Sequence, residues 1–144
     1  MGYRGGNGKF TKNKKVRNAT PLEVDGVKFR SKLEAFTFRH LKESGIDCQY
    51  EENKYTLIEP FEYNGEKIRA CTYTPDFVGD GWIVETKGFA TDTFDIKWKM
   101  FKDYLRRNEI VVDLYLPRNQ REVLETIEKI KGKMAKEDEV RTTV

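Results

Sequence analysis

Apolar residues recur along the chain at two spacings, and these predict three helices and several strands. Spacings of three and four residues predict helices over 31–44, 93–107 and 119–136. Ser31 opens the first helix and Thr93 is the expected cap of the second. The positions expected to face the core are Leu33, Phe36, Thr37, His40 and Leu41, then Phe94, Trp98, Phe101 and Leu105, then Val123, Ile127, Ile130 and Met134.

Strand signals fill the regions between these helices. The segment 21–29 is typical of a hairpin turning at Asp25-Gly26, and 48–73 is β-rich with breaks at Pro60 and Asn64-Gly65. Further strands are expected over 72–78, 82–87 and, as a buried strand, 110–116. This order predicts an α/β fold in one domain, with a mixed sheet flanked by helices.

Charge divides the chain into parts. The 144 residues carry a net charge of +3, but residues 1–20 hold six bases and no acid, whereas the remainder holds 21 bases and 24 acids. We therefore expect a flexible basic arm over 1–20, a single domain over 21–136 and a polar tail over 137–144. Such arms commonly bind nucleic acid phosphate, and composition alone leaves a solubilising tail as an equal alternative.

Composition excludes several classes of protein. No stretch approaches the roughly 18 apolar residues of a membrane span, so no membrane partner is expected. Cys48 and Cys71 fall in no metal-ligand spacing, which favours a reducing, cytoplasmic location. A single histidine, His40, excludes chemistry built on several histidines and is expected to be a packing residue.

The segment 74–88 contains the candidate chemistry. If Asp80-Gly81 forms a two-residue hairpin turn, counting inward places Asp76 opposite Glu85, with Cβ atoms about 5 Å apart. Because side chains alternate along a strand, Lys87 falls on the same face as Glu85.

Two facing carboxylates repel each other, and a divalent cation between them removes the conflict. Hard oxygen ligands suit Mg²⁺ or Mn²⁺, and a nearby lysine can orient water or balance phosphate charge, as in metal-assisted attack on a phosphodiester. The alternative is a surface hairpin with solvated charges. The apolar residues Phe77, Val78, Ile83 and Val84 make both faces of the hairpin apolar and disfavour it.

Glu34 has two interpretations. The segment 31–34 fits a capping box in which Glu34 reaches back to the Ser31 amide. On a helical wheel, however, Glu34 falls at the edge of the buried stripe beside Leu41, from which it could face the sheet. The helix alone leaves cap and ligand both open.

Together these motifs resemble the PD-(D/E)xK nuclease superfamily. The segments FRSKLE (29–34), YEE (50–52), YTPDF (73–77) and VETKG (84–88) are similar, in order, to the endonuclease I family of T-odd bacteriophages, whose members resolve Holliday junctions. Related small phage nucleases look alike. The resemblance covers about residues 29–116 and implies an α/β fold of restriction-endonuclease-like type, a mixed β-sheet flanked by helices.

The resemblance implies roles for individual residues. Asp76 and Glu85 would bind Mg²⁺, with Mn²⁺ as a substitute, while Glu34 would complete a second metal position and the Thr86 carbonyl would add a ligand. Lys87 would help to position the attacking water. No small-molecule cofactor is implied.

The family also implies a homodimer that acts on four-way DNA junctions. In the endonuclease I type a long extended segment crosses between subunits; here the matching segment, 48–73, is longer and interrupted, which leaves that exchange open. The expected DNA contacts are Lys97 and Lys99, with Lys102 on the same helix, and the arm residues Arg4, Lys9, Lys12, Lys14, Lys15 and Arg17.

We therefore expect a metal-dependent endodeoxyribonuclease of junction-resolving type that leaves 5′-phosphate ends, acting in the host cytoplasm if phage-encoded. One alternative is a restriction- or repair-type nuclease that cuts linear or mismatched duplex. Another is a non-catalytic DNA-binding recombination accessory, which the intact Asp76, Glu85 and Lys87 disfavour.

Overall fold

A computed structural model describes residues 22–88 and 91–142. Helices and strands alternate as an α/β fold, which confirms the predicted class. The helices are α1 (Lys32–Glu43), α2 (Asp92–Arg107) and α3 (Gln120–Thr142). The strands are β1 (Leu22–Val24), β2 (Val27–Phe29), β3 (Gln49–Tyr50), β4 (Tyr55–Ile58), β5 (Phe61–Tyr63), β6 (Glu66–Ile68), β7 (Cys71–Tyr73), β8 (Phe77–Gly79), β9 (Trp82–Val84) and β10 (Asp113–Tyr115).

The central sheet is mixed, with the strand order β10-β9-β8-β3. β8 and β9 form the predicted hairpin, in which Val78 pairs with Ile83 and Phe77 with Val84. Gly81 supplies the positive φ of the turn, at 80°. β10 pairs with β9 in parallel, as the edge strand. The register counted from the turn is thus confirmed, and it brings the residues just beyond Phe77 and Val84 out of the sheet together.

The other strands form two-stranded ribbons. β1 and β2 pair around Asp25-Gly26 as predicted, with φ of 50° and 79°. β4 pairs with β7, and β5 pairs with β6 around Asn64-Gly65. The predicted strand over 72–78 is split, because the chain leaves β7 after Tyr73 and re-enters the sheet only at Phe77. The whole segment between β3 and β8 therefore folds back on itself.

Helix α1 is rotated about its axis, so its buried face differs from the predicted one. Thr37 and Leu41 are buried as expected, but the rest of the buried face is formed by Glu34, Ala35 and Phe38. Leu33, Phe36 and His40 are only half-buried. His40 packs against Phe36, with ring centroids 4.2 Å apart, and lies 3.8 Å from Glu43. The rotation is stable because the inward carboxylate of Glu34 is hydrogen-bonded inside the protein.

Helix α2 confirms its predicted apolar face, since Phe94, Trp98, Phe101 and Leu105 are all buried. Its cap was predicted wrongly. Thr91 takes the place expected for Thr93, two residues earlier, because the Phe94 amide donates to Thr91 Oγ1 at 3.2 Å.

Two predictions in the C-terminal region were wrong in part. Only Asp113–Tyr115 of the expected 110–116 strand pairs with the sheet, and Val111 is 94% exposed. Helix α3 buries Val123, Ile127 and Ile130 against the body but leaves Met134 40% exposed and continues past Lys136 to Thr142. Its residues from Lys131 to Thr142 are exposed. Within 22–88 and 91–142 no helix is apolar and long enough to cross a bilayer.

The β8–β9 hairpin lies between two apolar clusters. On one side Phe77, Trp82 and Val84 join the residues of α1 and α3, and on the other Ile83 joins those of α2. Both faces are thus covered, which contradicts the alternative of a solvated surface hairpin. Charged side chains at the end of this hairpin are forced into a buried setting.

Gly79 provides a test of this packing. A Cβ atom at Gly79 would lie 2.0 Å from Cε2 of the buried Trp82 ring, so Gly79→Ala should lower the free energy of unfolding by about 1–3 kcal/mol. Gly132→Ala is the matched control, because Gly132 lies within α3 with open space around it. That change should raise the free energy by about 0.5–1 kcal/mol. Urea unfolding measures both; an unchanged Gly79→Ala protein contradicts the packing.

Candidate metal centre

Asp76 immediately precedes β8 and is buried. Its carboxylate oxygen Oδ2 accepts two hydrogen bonds from Thr86, one from the amide and one from the hydroxyl, both at 2.8 Å. Thr86 follows Glu85, just past the end of β9. The register of the hairpin therefore brings both of its donors to Asp76. Asp76 is therefore fixed through a single oxygen.

Glu85 leaves β9 directly opposite, as predicted. Its oxygen Oε2 accepts from the Tyr73 hydroxyl at 2.9 Å and from the Asp76 amide at 3.0 Å. Its own amide donates to the Tyr115 carbonyl at 3.0 Å, which continues the pairing with β10. The two acids that were predicted to face each other are therefore linked directly in the folded chain, through the Asp76 amide and the Glu85 carboxylate.

Glu34 reaches the same centre from the first turn of α1. Its amide donates to Ser31 Oγ at 3.1 Å, and the Ser31 hydroxyl donates back to its carboxylate at 3.2 Å. The Tyr50 hydroxyl donates to the other carboxylate oxygen. The expected partner for a capping box was the Ser31 amide, so the cap is modified. Glu34 therefore takes part in the N-terminal cap of α1 and faces the centre at the same time.

Glu51 is a member of the centre that was not among the predicted site residues. One carboxylate oxygen from each of Glu34, Glu51 and Asp76 lies within 4.8 Å of the others. The Glu51 amide donates to the Asp76 carbonyl at 2.9 Å, and its backbone has a φ of 49°. Arg30 lies 3.4 Å from its carboxylate. The one signal in the sequence was the place of Glu51 beside Tyr50 in the YEE segment. Strand alternation could not assign its side chain to a face, because a positive φ interrupts the strand.

Lys87 lies beside Glu85 as the alternation predicted. Its Nζ atom is 3.9 Å from Glu85 Oε1 and 4.2 Å from the centroid of the Phe94 ring. The side chain is 27% exposed, and its amide donates to the Pro117 carbonyl at 3.0 Å. The ammonium group is therefore held at the rim, between the buried carboxylates and solvent.

Charge is unbalanced at this centre. Glu34, Glu51, Asp76 and Glu85 face the cations of Arg30 and Lys87. Burial, together with repulsion from Glu85 and Glu34, raises the pKa of Asp76 to about 7, although the Thr86 bonds oppose this shift. Burial also raises the pKa of Glu85, against the donors Tyr73 and the Asp76 amide and the charge of Lys87. Excess negative charge on hard oxygens is the donor set that Mg²⁺ or Mn²⁺ requires, so the residues fit such a cation.

Two tyrosines keep their protons in this environment. Burial and the neighbouring Glu34 raise the pKa of Tyr50, and burial and Glu85 raise that of Tyr73. Both hydroxyls therefore stay donors to their carboxylates. Thr86 also acts as a donor, to Asp76; that its carbonyl adds a metal ligand stays a prediction.

The predicted DNA contacts on α2 differ in their surroundings. Lys97 donates to the Thr72 carbonyl at 3.3 Å, and Lys102 lies over the Trp98 ring. Lys99 is exposed. The arm residues lie outside the described part of the chain: Arg4, Lys9, Lys12, Lys14, Lys15 and Arg17.

The raised pKa of Asp76 has a consequence for stability. Between its ordinary value, 3.8, and about 7, the folded chain keeps a proton on Asp76 that the unfolded chain has lost. This contribution to stability is complete below the ordinary value and disappears as the pH rises through about 7. In metal-free protein at pH 8, Asp76→Asn should therefore raise the free energy of unfolding, by on the order of 1 kcal/mol. Its amide oxygen can still accept from Thr86.

Urea unfolding in a chelator at pH 5 and pH 8 measures this effect, with Asp80→Asn as the control. Asp80 lies exposed in the turn of the same hairpin, so its change should leave the free energy of unfolding unaltered at both values. A lower stability of Asp76→Asn at pH 8 contradicts the repulsion inferred for the centre.

Comparison with known proteins identifies a family without an activity. Residues 12–116 match the family described as "Protein of unknown function (DUF1064)". No curated protein and no solved structure is significantly similar to the chain. The matched span includes β1 to β10, α1, α2 and all the candidate ligands, and it ends before α3. Because the match covers well over half of its length, the chain belongs to the DUF1064 family.

Proposed function

We propose that the chain is a Mg²⁺-dependent endodeoxyribonuclease that hydrolyses phosphodiesters in branched DNA, of Holliday-junction-resolving type. The observation that carries the proposal is the convergence of Glu34, Glu51 and Asp76 within 4.8 Å, joined by Glu85 and flanked by Lys87. Repulsion among these acids opposes folding, so the stability of the fold does not account for their grouping.

The chemistry follows from the residues present. Asp76, Glu85, Glu34 and Glu51 would hold the cation. A bound Mg²⁺ polarises a phosphodiester and makes its bound water more acidic. Lys87 lies at the rim, where its ammonium can donate to a water or a phosphate oxygen while remaining paired with Glu85.

The substrate class rests on charge and on the order of motifs in the sequence. A body with an excess of acids would repel DNA except where cations are bound, and the six bases of residues 1–20 would supply attraction around the centre. The preference for a branch rests on the resemblance to the endonuclease I family. Recognition would depend on backbone geometry and charge rather than on base contacts.

A homodimer is part of the proposal. A four-way junction has two opposed strands to cut, which requires two centres. Glu34 of α1 and Asp76 beside the sheet lie together within one chain, so a dimer with two complete centres would need no exchange of the 48–73 segment. The free thiols of Cys48 and Cys71 support action in the cytoplasm.

The cleavage test uses a synthetic four-way junction beside its linear duplex, with and without Mg²⁺, with the size of the complex measured in parallel. We expect paired symmetric nicks on the junction only, and only with metal. Asp76→Asn and Glu85→Gln should each reduce cleavage at least about 10³-fold while junction binding survives.

Asp80→Asn is again the control and should cut at the normal rate, because this carboxylate lies in the turn at the other end of the hairpin. Normal metal-dependent cleavage by Asp76→Asn or by Glu85→Gln would contradict the proposed nuclease activity. Cutting of linear duplex would instead favour a restriction- or repair-type nuclease.

Deletion of residues 2–17 tests the proposed role of the arm. Removal of its six bases should weaken junction binding and flatten the dependence of affinity on salt, while the metal requirement stays the same. Filter binding or fluorescence anisotropy at several salt concentrations measures the slope. If the slope does not change, the arm is a solubilising tail.

A further inference from the structure

The carboxylates of Asp76 and Glu85 share a pattern of hydrogen bonding. Each is held through one oxygen by two donors: Oδ2 of Asp76 by Thr86, and Oε2 of Glu85 by Tyr73 and the Asp76 amide. Among the described residues, no hydrogen bond ends on Oδ1 of Asp76 or Oε1 of Glu85. The nearest cation to Oε1 is Lys87 Nζ, at 3.9 Å.

From this pattern we infer that Tyr73 and Thr86 are positioning residues, which fix one oxygen of each ligand carboxylate so that only the other is presented to the cation. The inference rests on the proposed function and adds to it a defined mode of binding. Asp76 and Glu85 would each bind through a single oxygen, because the second oxygen is saturated by donors from the protein.

Tyr73 is suited to this role because its ring is immobilised. It is 6% exposed, and its centroid lies 4.8 Å from that of Phe101 and 6.2 Å from that of Trp98. A hydroxyl on a ring packed in this way keeps a fixed direction. Its bond to Glu85 therefore sets the orientation of the carboxylate, rather than following it.

The same aromatic cluster also positions Lys87. Phe94, on which the ammonium of Lys87 lies, stacks on Trp98 with centroids 5.7 Å apart and an interplanar angle of 28°. Trp98 thus contacts both the ring that holds Glu85 and the ring that holds Lys87. The acid and the lysine of the motif are placed relative to each other by one packed unit.

Mn²⁺ binding to the full-length chain, measured by calorimetry without DNA, tests the inference independently of cleavage. Tyr73→Phe removes only the hydroxyl and should weaken Mn²⁺ binding about 10–100-fold. Tyr55→Phe is the matched control, because the Tyr55 ring also packs on Phe101, at 5.0 Å, but its hydroxyl bonds to neither carboxylate. That variant should bind as the wild type does.

Thr86 provides a second, independent pair of variants. Thr86→Val removes the hydroxyl donor to Asp76 and should weaken Mn²⁺ binding by a similar factor. Thr86→Ser keeps that donor and should bind Mn²⁺ with the affinity of the wild type. For both positions, cleavage should recover at saturating Mn²⁺, since a positioning residue does not itself take part in the reaction.

The outcomes separate the inference from the function on which it rests. Wild-type affinity in both Tyr73→Phe and Thr86→Val overturns the inference while leaving the nuclease proposal intact. Absence of Mn²⁺ binding by the wild type overturns both. The inference is also overturned if Tyr55→Phe loses as much Mn²⁺ affinity as Tyr73→Phe, or if Thr86→Ser loses as much as Thr86→Val. A change in packing would then explain the effect.

Discussion

Mutual repulsion between buried carboxylates is the constraint on which the rest of the structure depends. Asp76 and Glu85 are brought together by the register of one short hairpin, and burial raises the pKa of both. The fold tolerates the pair because apolar clusters pack on both faces of that hairpin and because each acid has fixed donors. Packing thus supplies the stability that the centre removes, a common arrangement at functional sites.

The centre draws on each layer of the molecule for a different purpose. The sheet supplies the facing acids, α1 contributes Glu34 through its first turn, and α2 supplies the aromatic residues beneath Glu85 and Lys87. A rotation of α1 would move Glu34, and a rotation of α2 would move the rings that contact Tyr73 and Lys87, while the sheet register stayed unchanged. The geometry of this group of acids is therefore a property of the assembled layers rather than of the short sequence motif alone.

Much of this arrangement could be predicted from the sequence, because local rules govern it. Asp80-Gly81 specified the turn, and alternation then placed Asp76, Glu85 and Lys87. Glu51 could not be found in this way, since a φ of 49° removes it from any strand period. The buried face of α1 was predicted wrongly because Glu34 counts as polar in a hydrophobic pattern. Its burial is made favourable by the hydroxyls of Ser31 and of Tyr50, and Tyr50 comes from β3, which a helical pattern does not include. Val111 was expected in a buried strand because its side chain is apolar. It is exposed because β10 begins only at Asp113.

The parallel edge strand β10 has a consequence for the order of events during synthesis. The carbonyls of Tyr115 and Pro117 accept the amides of Glu85 and Lys87, so the backbone that presents both groups is fastened by residues made much later. A ribosome-bound chain from which neither Tyr115 nor Pro117 has emerged lacks both acceptors, even when Asp76, Glu85 and Lys87 have been translated. The backbone on either side of Thr86 is therefore fixed only after the chain has passed α2 and returned to the sheet, close to the end of the matched family span.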